Sequence, residues 1–450
     1  MSSAPEVAPS TPTGARAVLA LRDFRLYLLT TVALTVGVGI QATALGWQIF
    51  QLTGDKLALG LTGLAEAIPS IGIILFAGHF ADRLDRRRMI LWATGALFLC
   101  AVAFTALAVA APTRGDAAAD PSWTARLFSR PDETAREGPP PLERTAPVVL
   151  AIYAVIVLTG FARGVLGPAR TALGTDLVPR EHLTAAINLR TSFWQGGMIL
   201  GPPLGGGLYA LGGAPLAFAV DGLLILVAFA AARALRVRRA AAAAPRTEPL
   251  GRSLAQGVAF VRGRKEILGA LTLDLFAVLF GGAVAILPAF AKDVLFVDET
   301  GLGVLRASQS VGAVLTAVLV ARMPPFRRAG RTMLFAVAIF GLAMIGFAVS
   351  KVFLLSALLL AVAGAADYVS VVVRHTLVQT RTPPEMLGRV SAVNSVFIGS
   401  SNEIGAFESG VAAHYLGTVP SVVFGGSMTL LTVALVAWRA PALRRLGPLR

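Results

Sequence analysis

The chain is 450 residues long, 55% of them hydrophobic and only 14% charged, and its mean hydropathy is +0.71. A water-soluble protein of this length needs far more charge to cover its surface, so the composition excludes an ordinary soluble protein. The formal net charge of +15 leaves a nucleic-acid-binding protein as an alternative, which the positions of the charges must decide.

Apolar, nearly uncharged runs recur along the chain, and about 20 such residues are enough to cross a bilayer as a helix. In chain order the runs lie at 26–54, 57–81, 89–113, 145–162, 191–232, 267–291, 300–321, 332–350, 352–373 and 390–438. The runs at 191–232 and 390–438 can each hold two helices, with turns predicted at 212–215 and 417–420. The sequence therefore predicts an all-α membrane protein with twelve transmembrane helices.

The positions of the basic residues predict which ends of these helices face the cytoplasm. Most of the 40 Lys and Arg residues fall in the termini or in every second connection, including 83–88, 233–265, 322–331 and 374–389. Cytoplasmic loops carry such an excess, so we expect these connections and both termini in the cytoplasm. The basic composition then reflects topology in a membrane, which we expect to be a plasma membrane, and no nucleic-acid partner is expected.

The chain also carries an internal duplication. Gly60 has its match at Gly303, and Gly206 has its match at Gly410, with further landmarks in the same two registers. The spacing between matching residues falls after the third run, and the polar stretch 112–147 supplies the extra residues of the first half. We therefore expect two pseudo-symmetric six-helix halves with parallel orientation.

This duplication gives a domain layout. We expect a disordered cytoplasmic tail at 1–20, a six-helix bundle at 21–233 with the extracytoplasmic loop 112–147, a linker at 234–265, a second bundle at 266–439 and a basic tail at 440–450. Apolar residues spaced from Leu250 to Val261 predict an amphipathic helix that lies on the cytoplasmic leaflet. A flexible connection is an equal alternative for the first part of the linker.

A basic motif follows the second apolar run. Gly78, Asp82, Arg83, Arg86 and Arg87 resemble the glycine–aspartate–arginine loop signature of the major facilitator superfamily of transporters. The resemblance implies a gating loop, whose ion pairs hold one conformation and separate when the two halves rock. Arginines that only fix the topology are the alternative.

A glycine-rich motif lies in the fifth predicted helix. Gly197, Gly201, Pro202, Gly205 and Gly206 are similar to a signature of proton-coupled exporters in that superfamily. Small residues also let two membrane helices approach closely, so plain helix packing is the alternative interpretation.

Two further stretches, 382–390 and 22–25, resemble a branch that contains siderophore exporters and related efflux proteins. The resemblance implies proton-coupled export of a small amphipathic molecule, drug-like or a siderophore, by alternating access in a monomer. Two alternatives stay open. One is an importer or facilitator of a small solute, and the other is a non-transporting membrane sensor or assembly protein that uses the loop 112–147.

Eight ionisable residues fall within the predicted helices, where charge is costly and therefore a candidate for function. They are Glu66, Arg163, Asp221, Asp274, Arg306, Asp367, Glu403 and Glu408. We expect Asp221 and Asp274, which lie nearer their helix ends, to reach the interface. Arg163 and Asp367 occupy matching positions in the two halves. We hypothesise that they meet, or share a substrate, when the cytoplasmic side closes, with two independently solvated charges as the alternative.

Glu66 is the first candidate for the proton-binding site, because a carboxyl deep in a helix can take a proton from one side and release it on the other. Glu403, with Asn402 beside it, is the second candidate and could also bind cationic cargo. Glu408 lies about 140° further around the helix, so the two acids do not share a face. A hydrogen-bonded polar lining is the alternative for each acid.

No sequence pattern indicates catalysis. The four histidines are scattered without metal-ligand spacing, and the sequence has no Gly-x-x-x-x-Gly-Lys phosphate loop. We therefore expect no enzyme activity, metal or cofactor. The expected partners are a small-molecule substrate, protons and the lipid bilayer.

Overall fold

Helices make up the fold. The computed structural model describes residues 15–81, 85–110, 142–236, 250–281, 284–324 and 326–448, and no strand occurs among them. In chain order the helices are α1 (Ala15–Ala20), α2 (Arg22–Thr53), α3 (Lys56–Ala81), α4 (Arg86–Ala110), α5 (Leu142–Asp176), α6 (Leu183–Ala234), α7 (Leu250–Gly263), α8 (Lys265–Phe280), α9 (Leu287–Asp293), α10 (Glu299–Arg322), α11 (Ala329–Val349), α12 (Phe353–Arg381), α13 (Pro384–Leu416), α14 (Thr418–Arg439) and α15 (Pro441–Arg444). The prediction of an all-α protein is confirmed.

Many of these helices are long and apolar enough to cross a bilayer. By length and composition, eight qualify within the described part of the chain: α2, α4, α5, α6, α10, α11, α12 and α14. The 52 residues of α6 form two helices joined at a kink, because the backbone leaves the helical region at Gly212 and Gly213. Gly213 has φ 67°, which glycine adopts without strain, and this is the turn predicted at 212–215. The total of twelve spans stays a prediction.

The sixth apolar run, predicted as one helix over 267–291, is broken. α8 ends at Phe280, and α9 begins at Leu287 with Pro288 in its first turn. Proline suits that position because the first N–H groups of a helix have no partner inside it. Irregular backbone is tolerated at membrane depth where it borders a cavity, and Val284 and Ala285 of this break line the central cavity described below.

Several helices extend beyond the apolar runs that predicted them, α5 and α12 among them. α5 already starts at Leu142, so the last residues of the predicted loop 112–147 are helical, while residues 111–141 lie outside the described residues. α12 continues to Arg381, well past the predicted end at residue 373. An apolar run measures the thickness of the hydrocarbon core, and a helix does not have to end where that core ends.

The tails and the linker also differ from the predictions. Residues 1–14 and 237–249 lie outside the described residues, but the rest of the predicted disordered tail forms α1, whose Val18 is buried. In the linker, Gly257 of α7 packs against Arg389 of α13, and Val261 is buried. Within the described residues, Gly257 and Val261 of α7 therefore pack on the helix bundle, and the location of this helix on the cytoplasmic leaflet stays a prediction.

The connections between the helices lie at two ends of the bundle. The basic end comprises the connections α3–α4, α5–α6, α10–α11 and α12–α13, where the basic loops lie. The opposite end comprises the connections α2–α3, α9–α10, α11–α12 and α13–α14, together with the kink of α6 at residues 212–213. Helices α2–α6 are the first half, and helices α8–α14 are the second half.

Two pairs of glycines make close contacts between the halves, toward the opposite end. Gly60 of α3 packs on Gly410 of α13, and Gly206 of α6 packs on Gly303 of α10. The sequence duplication matches Gly60 with Gly303 and Gly206 with Gly410. The two contacts are therefore one contact repeated by pseudo-symmetry, and in each of them the absence of a side chain lets two backbones meet.

Polar pairs join the halves at the same level. They are Trp47 with Glu299 (3.0 Å), Lys56 with Asp293 (3.9 Å) and Asp55 with His414 (2.9 Å). Together with the glycine pairs, they close the opposite end of the bundle in this structure.

We expect Gly206→Ala to weaken this closure. A methyl group at residue 206 would lie 2.6 Å from the Cα atom of Gly303, so one of the two helices must move. Such overpacking typically costs about 1–3 kcal/mol. The variant should therefore shift the population toward the state with an open opposite end by roughly 5- to 150-fold.

Spin labels can measure this shift. Leu211→Cys and Val352→Cys place labels at exposed positions of the opposite end in different halves, in a background with Cys100→Ser. The distance between the labels should lengthen in Gly206→Ala. Gly207→Ala is the matched control, because nothing lies within 4 Å of a Cβ atom there. Identical distance distributions in the two alanine variants would contradict the expectation.

Candidate functional site

A cavity of about 430 Å³ lies between the two halves. The first half contributes α2, α3 and α5 to its wall, and the second half contributes α8, α10, α11, α12 and α13. The ionisable side chains on the wall are Glu66, Arg163, Arg306, Asp367 and Glu403. Its volume falls within the range of about 300–1,000 Å³ that is typical of pockets for drug-sized molecules.

A cluster of charges from both halves surrounds Arg163. This residue of α5 donates hydrogen bonds to Oε1 of Glu66 on α3 and to Oε1 of Gln41 on α2. Glu403 comes from α13 in the other half and lies within electrostatic reach of both Arg163 and Glu66. Its Oε2 would be 3.3 Å from a Cβ atom on Gly63, so this glycine leaves room for Glu403 to reach the first half. Arg163 is therefore paired with one carboxylate of its own half, and a second carboxylate from the opposite half lies nearby.

Arg306 has different surroundings. Its Nη1 donates to Oγ1 of Thr43 across the interface between the halves, at 3.1 Å. Within the described residues no carboxylate pairs with this guanidinium, and its Nε has no hydrogen-bond partner. Asp367 lines the same cavity from α12. The cavity thus presents a guanidinium that is available to an anionic group of a ligand.

The structure brings five of the six predicted cavity residues to this wall. They are Glu66, Arg163, Asp367, Asn402 and Glu403. Glu408 is not part of the wall and instead accepts a hydrogen bond from the hydroxyl of Ser409 at 3.5 Å. Glu403 and Glu408 are five residues apart on α13, so the helix directs their side chains to different faces.

The hypothesised contact between Arg163 and Asp367 is not formed in this structure. The partner of Arg163 is Glu66, a residue of its own half. The halves meet here at the opposite end, whereas the hypothesis concerns closure of the basic end. The contact therefore stays a prediction for that other state.

The expectation that Asp221 and Asp274 reach the interface is wrong. Asp221 is 1% exposed on α6 beside Gly37 of α2, and Asp274 is 5% exposed on α8. Asp274 forms an ion pair with Arg374 of α12. A neighbouring helix supplies a partner inside the protein, so the carboxylate has no need to extend to the membrane surface.

Sequence reasoning missed two residues that these charges use. Arg374 was assigned to a basic loop because the apolar run ends at residue 373, but α12 continues through it and buries it. Gln41 carries no charge, so a search for ionisable residues passed over it. The signal that could have found Gln41 is its polar amide inside an apolar run, because such an amide needs a hydrogen-bond partner within the membrane.

The gating-loop motif is partly described. Gly78 lies in α3, whereas Asp82 and Arg83 lie outside the described residues. Arg86 forms an ion pair with Asp176 at the end of α5, and Arg87 donates to the backbone carbonyls of Ala232 and Arg233 at the end of α6. These arginines therefore connect helix ends within the first half, where the carbonyls of a helix C-terminus favour a cation. Gating by the loop stays a prediction.

The glycine motif of α6 packs along α2. A Cβ atom at Gly197 would touch Thr35, one at Gly201 would touch Gly39, and one at Gly205 would touch Ile40. Gly206 faces the other half, and Pro202 lies inside the helix. These contacts account for the glycines by close helix packing, and a specific role of the motif in export stays a prediction.

The sequence profile of the Major Facilitator Superfamily matches residues 27–406. The chain belongs to this superfamily. It is accordingly a multi-pass membrane transport protein for small molecules, and not an enzyme.

Curated relatives and solved structures agree with this assignment. The enterobactin exporter EntS of Citrobacter koseri is 25% identical over 93% of this chain and 94% of the relative, and that of Shigella boydii is 26% identical over 94% and 92%. A D-xylose-proton symporter has the same fold, with a TM-score of 0.65 at 14% identity over 96% of this chain and 99% of that one. A bacterial homologue of the iron transporter ferroportin gives 0.62 at 16% identity over 92% and 99%.

Proposed function

We propose that this transporter exports a small amphipathic molecule, a drug-like compound or a siderophore, by alternating access in exchange for protons. The observation that carries the proposal is the cavity between the halves, which holds carboxylates and guanidiniums from both of them. Export is favoured because relatives that match 93% and 94% of the chain are named enterobactin exporters. The basic loops support a plasma-membrane location with cytoplasmic termini, and a single chain provides every part of the cavity, consistent with a monomer.

Alternating access needs two states that differ at the ends of the bundle. The glycine pairs and polar pairs close the opposite end here, and the basic loops assign that end to the outside of the membrane. This structure then corresponds to the inward-facing state, in which cargo from the cytoplasm enters the cavity. Separation of the glycine pairs, with closure of the basic end, would present the same cavity to the outside.

Proton coupling follows from the charges around the cavity. Glu66 holds the guanidinium of Arg163 by an ion pair within the first half, and Glu403 of the other half lies within electrostatic reach of that guanidinium. When the halves separate at the opposite end and the basic end closes, Arg163 meets Asp367 as hypothesised above and leaves Glu66. The carboxyl of Glu66, without its guanidinium, then favours binding a proton from outside. Return to the inward-facing state restores the guanidinium, and the proton leaves toward the cytoplasm. Each cycle then moves protons inward as cargo moves outward.

The wall of the cavity favours a cargo with an acidic group and an apolar body. The guanidinium of Arg306 can bind a carboxylate or another oxyanion by charge-assisted hydrogen bonds. Apolar residues on the same wall, including Val38, Leu45, Leu59 and Phe340, can contact the rest of the molecule. Amphipathic compounds that carry an ionised acidic group match this combination.

Accumulation measurements test the direction and the energy source. Thermal stabilisation of the purified protein against siderophores, dyes and antibiotics first selects a ligand. Cells that express the transporter should then hold several-fold less of that ligand than cells with an empty vector, and a protonophore should remove the difference. Greater accumulation would indicate an importer and overturn export. Unchanged accumulation together with a phenotype lost on deletion of 112–140 would indicate a sensor or assembly protein.

A further inference from the structure

A second cavity lies on the side of the second half that faces away from the first half and from the transport cavity. It is a groove of about 610 Å³ between α10, α11 and α12. Adjacent residues of α12 separate the two sites, since Ala366 lines the groove and Asp367 lines the central cavity. On α11 the same holds for Ile339 and Phe340. The groove is therefore not an extension of the transport pathway.

The walls of the groove face the lipid. Phe335 and Ile339 of α11 are 69% and 46% exposed, and Val362 of α12 is exposed as well. All three helices qualify as membrane spans. Exposed apolar side chains on spanning helices contact acyl chains, so an occupant of this groove comes from the bilayer.

The groove has a positive mouth at the basic end. Arg328 and Arg331 line it there, and both are exposed. Arg322 and Arg327 lie in the same connection, and the sequence has no Asp or Glu between Glu299 and Asp367. Within the described residues no carboxylate pairs with Arg328 or Arg331, which leaves their guanidiniums available to an anion from the membrane.

We propose that this groove binds an anionic phospholipid. Its phosphate lies between Arg328 and Arg331, and its acyl chains lie along Phe335, Ile339 and Val362. Basic pockets between spanning helices at the headgroup level attract anionic lipids, and a guanidinium matches a phosphate with two parallel hydrogen bonds. A single phospholipid molecule matches both parts of the groove, because its phosphate binds the positive mouth and its acyl chains contact the apolar walls.

Native mass spectrometry of the delipidated full-length protein tests the proposal. Phosphatidylglycerol and phosphatidylcholine of equal chain length are titrated separately, and bound lipids are counted under the same activation. We expect phosphatidylglycerol to bind more tightly, and Arg328→Ala with Arg331→Ala to weaken its binding on the order of tenfold. Arg444→Ala with Arg445→Ala is the matched control, because it removes two charges from the same end of the second half outside the groove.

Further variants separate the possible explanations. Val362→Trp fills the wall and keeps both arginines, so it should weaken phosphatidylglycerol binding without a loss of charge. If the variant with both Arg328→Ala and Arg331→Ala folds poorly, Arg331→Lys replaces it in the measurement. This variant keeps the positive charge and should keep most of the phosphatidylglycerol binding. The proposal is overturned by equal binding of the two lipids, by equal losses in the groove and control variants, by competition from inorganic phosphate alone, or by a second copy of the chain protecting the groove.

Discussion

Arg374→Met is expected to destabilise the folded transporter by about 3–5 kcal/mol, the usual cost of removing one partner from a buried ion pair. Asp274 is only 5% exposed, and Arg374 is its ion-pair partner on the neighbouring helix. Without the guanidinium, the carboxylate of Asp274 must either stay charged inside the protein or bind a proton. Thermal unfolding in detergent, together with the yield of monodisperse protein, measures the loss.

Two variants control this prediction. Arg381→Met removes a positive charge from an exposed position of the same helix α12, so it should change stability little. Asp274→Leu combined with Arg374→Met replaces the whole pair by apolar side chains and should recover most of the stability, because no unpaired charge is then buried. A double variant as unstable as the single variant would show that the pair is not the source of the effect.

Glu66→Gln is expected to abolish proton-driven export, with a fall in rate of at least about a hundredfold, within the range of 10²–10⁴ that a positioned proton-transfer group supplies. The amide has the size of the carboxyl but cannot bind and release the proton. It can still accept a hydrogen bond from Arg163, so the cavity should keep its shape. Dissipation of an imposed pH gradient by the selected ligand in proteoliposomes measures the coupling.

Exchange of labelled for unlabelled ligand separates coupling from binding. Glu66→Gln should keep this exchange within a few-fold of the wild type, because exchange needs the cavity but no net movement of protons. Glu408→Gln is the matched control, since Glu408 lies on the same helix as Glu403 but off the wall of the cavity. If Glu66→Gln retains proton-driven export and Glu403→Gln loses it, the proton site is on α13. If both retain it, the proposed coupling is wrong.

The charged residues show where sequence reasoning reached its limit. The residues that would line a cavity were found from charge inside apolar runs, because such charges are too costly to face lipid. Their partners were not found. Matching positions in the duplication suggested Asp367 for Arg163, but the side chain within reach in this state is Glu66 on the adjacent helix α3. Two matching positions of a repeat occupy equivalent places in their own halves. This equivalence does not predict the distance between the two side chains.

Helix ends illustrate the same limit. Residue 373 ends an apolar run, yet α12 continues to Arg381 and buries Arg374 on the way. Conversely, the apolar run 267–291 contains the break between α8 and α9. Hydropathy records how a segment interacts with the bilayer, whereas contacts with neighbouring helices decide where its backbone stays helical.

The sequence by itself determined that this is an all-α membrane protein, which end of it is basic, and which glycines match in its two halves. These are local properties, because each apolar run must satisfy its own backbone in lipid and each glycine marks its own close approach. Only the tertiary structure decided that Gly60 meets Gly410 and Gly206 meets Gly303, which carboxylate each arginine binds, and that α10, α11 and α12 enclose a groove. Those outcomes depend on distances between helices far apart in the chain, which no single stretch of sequence contains.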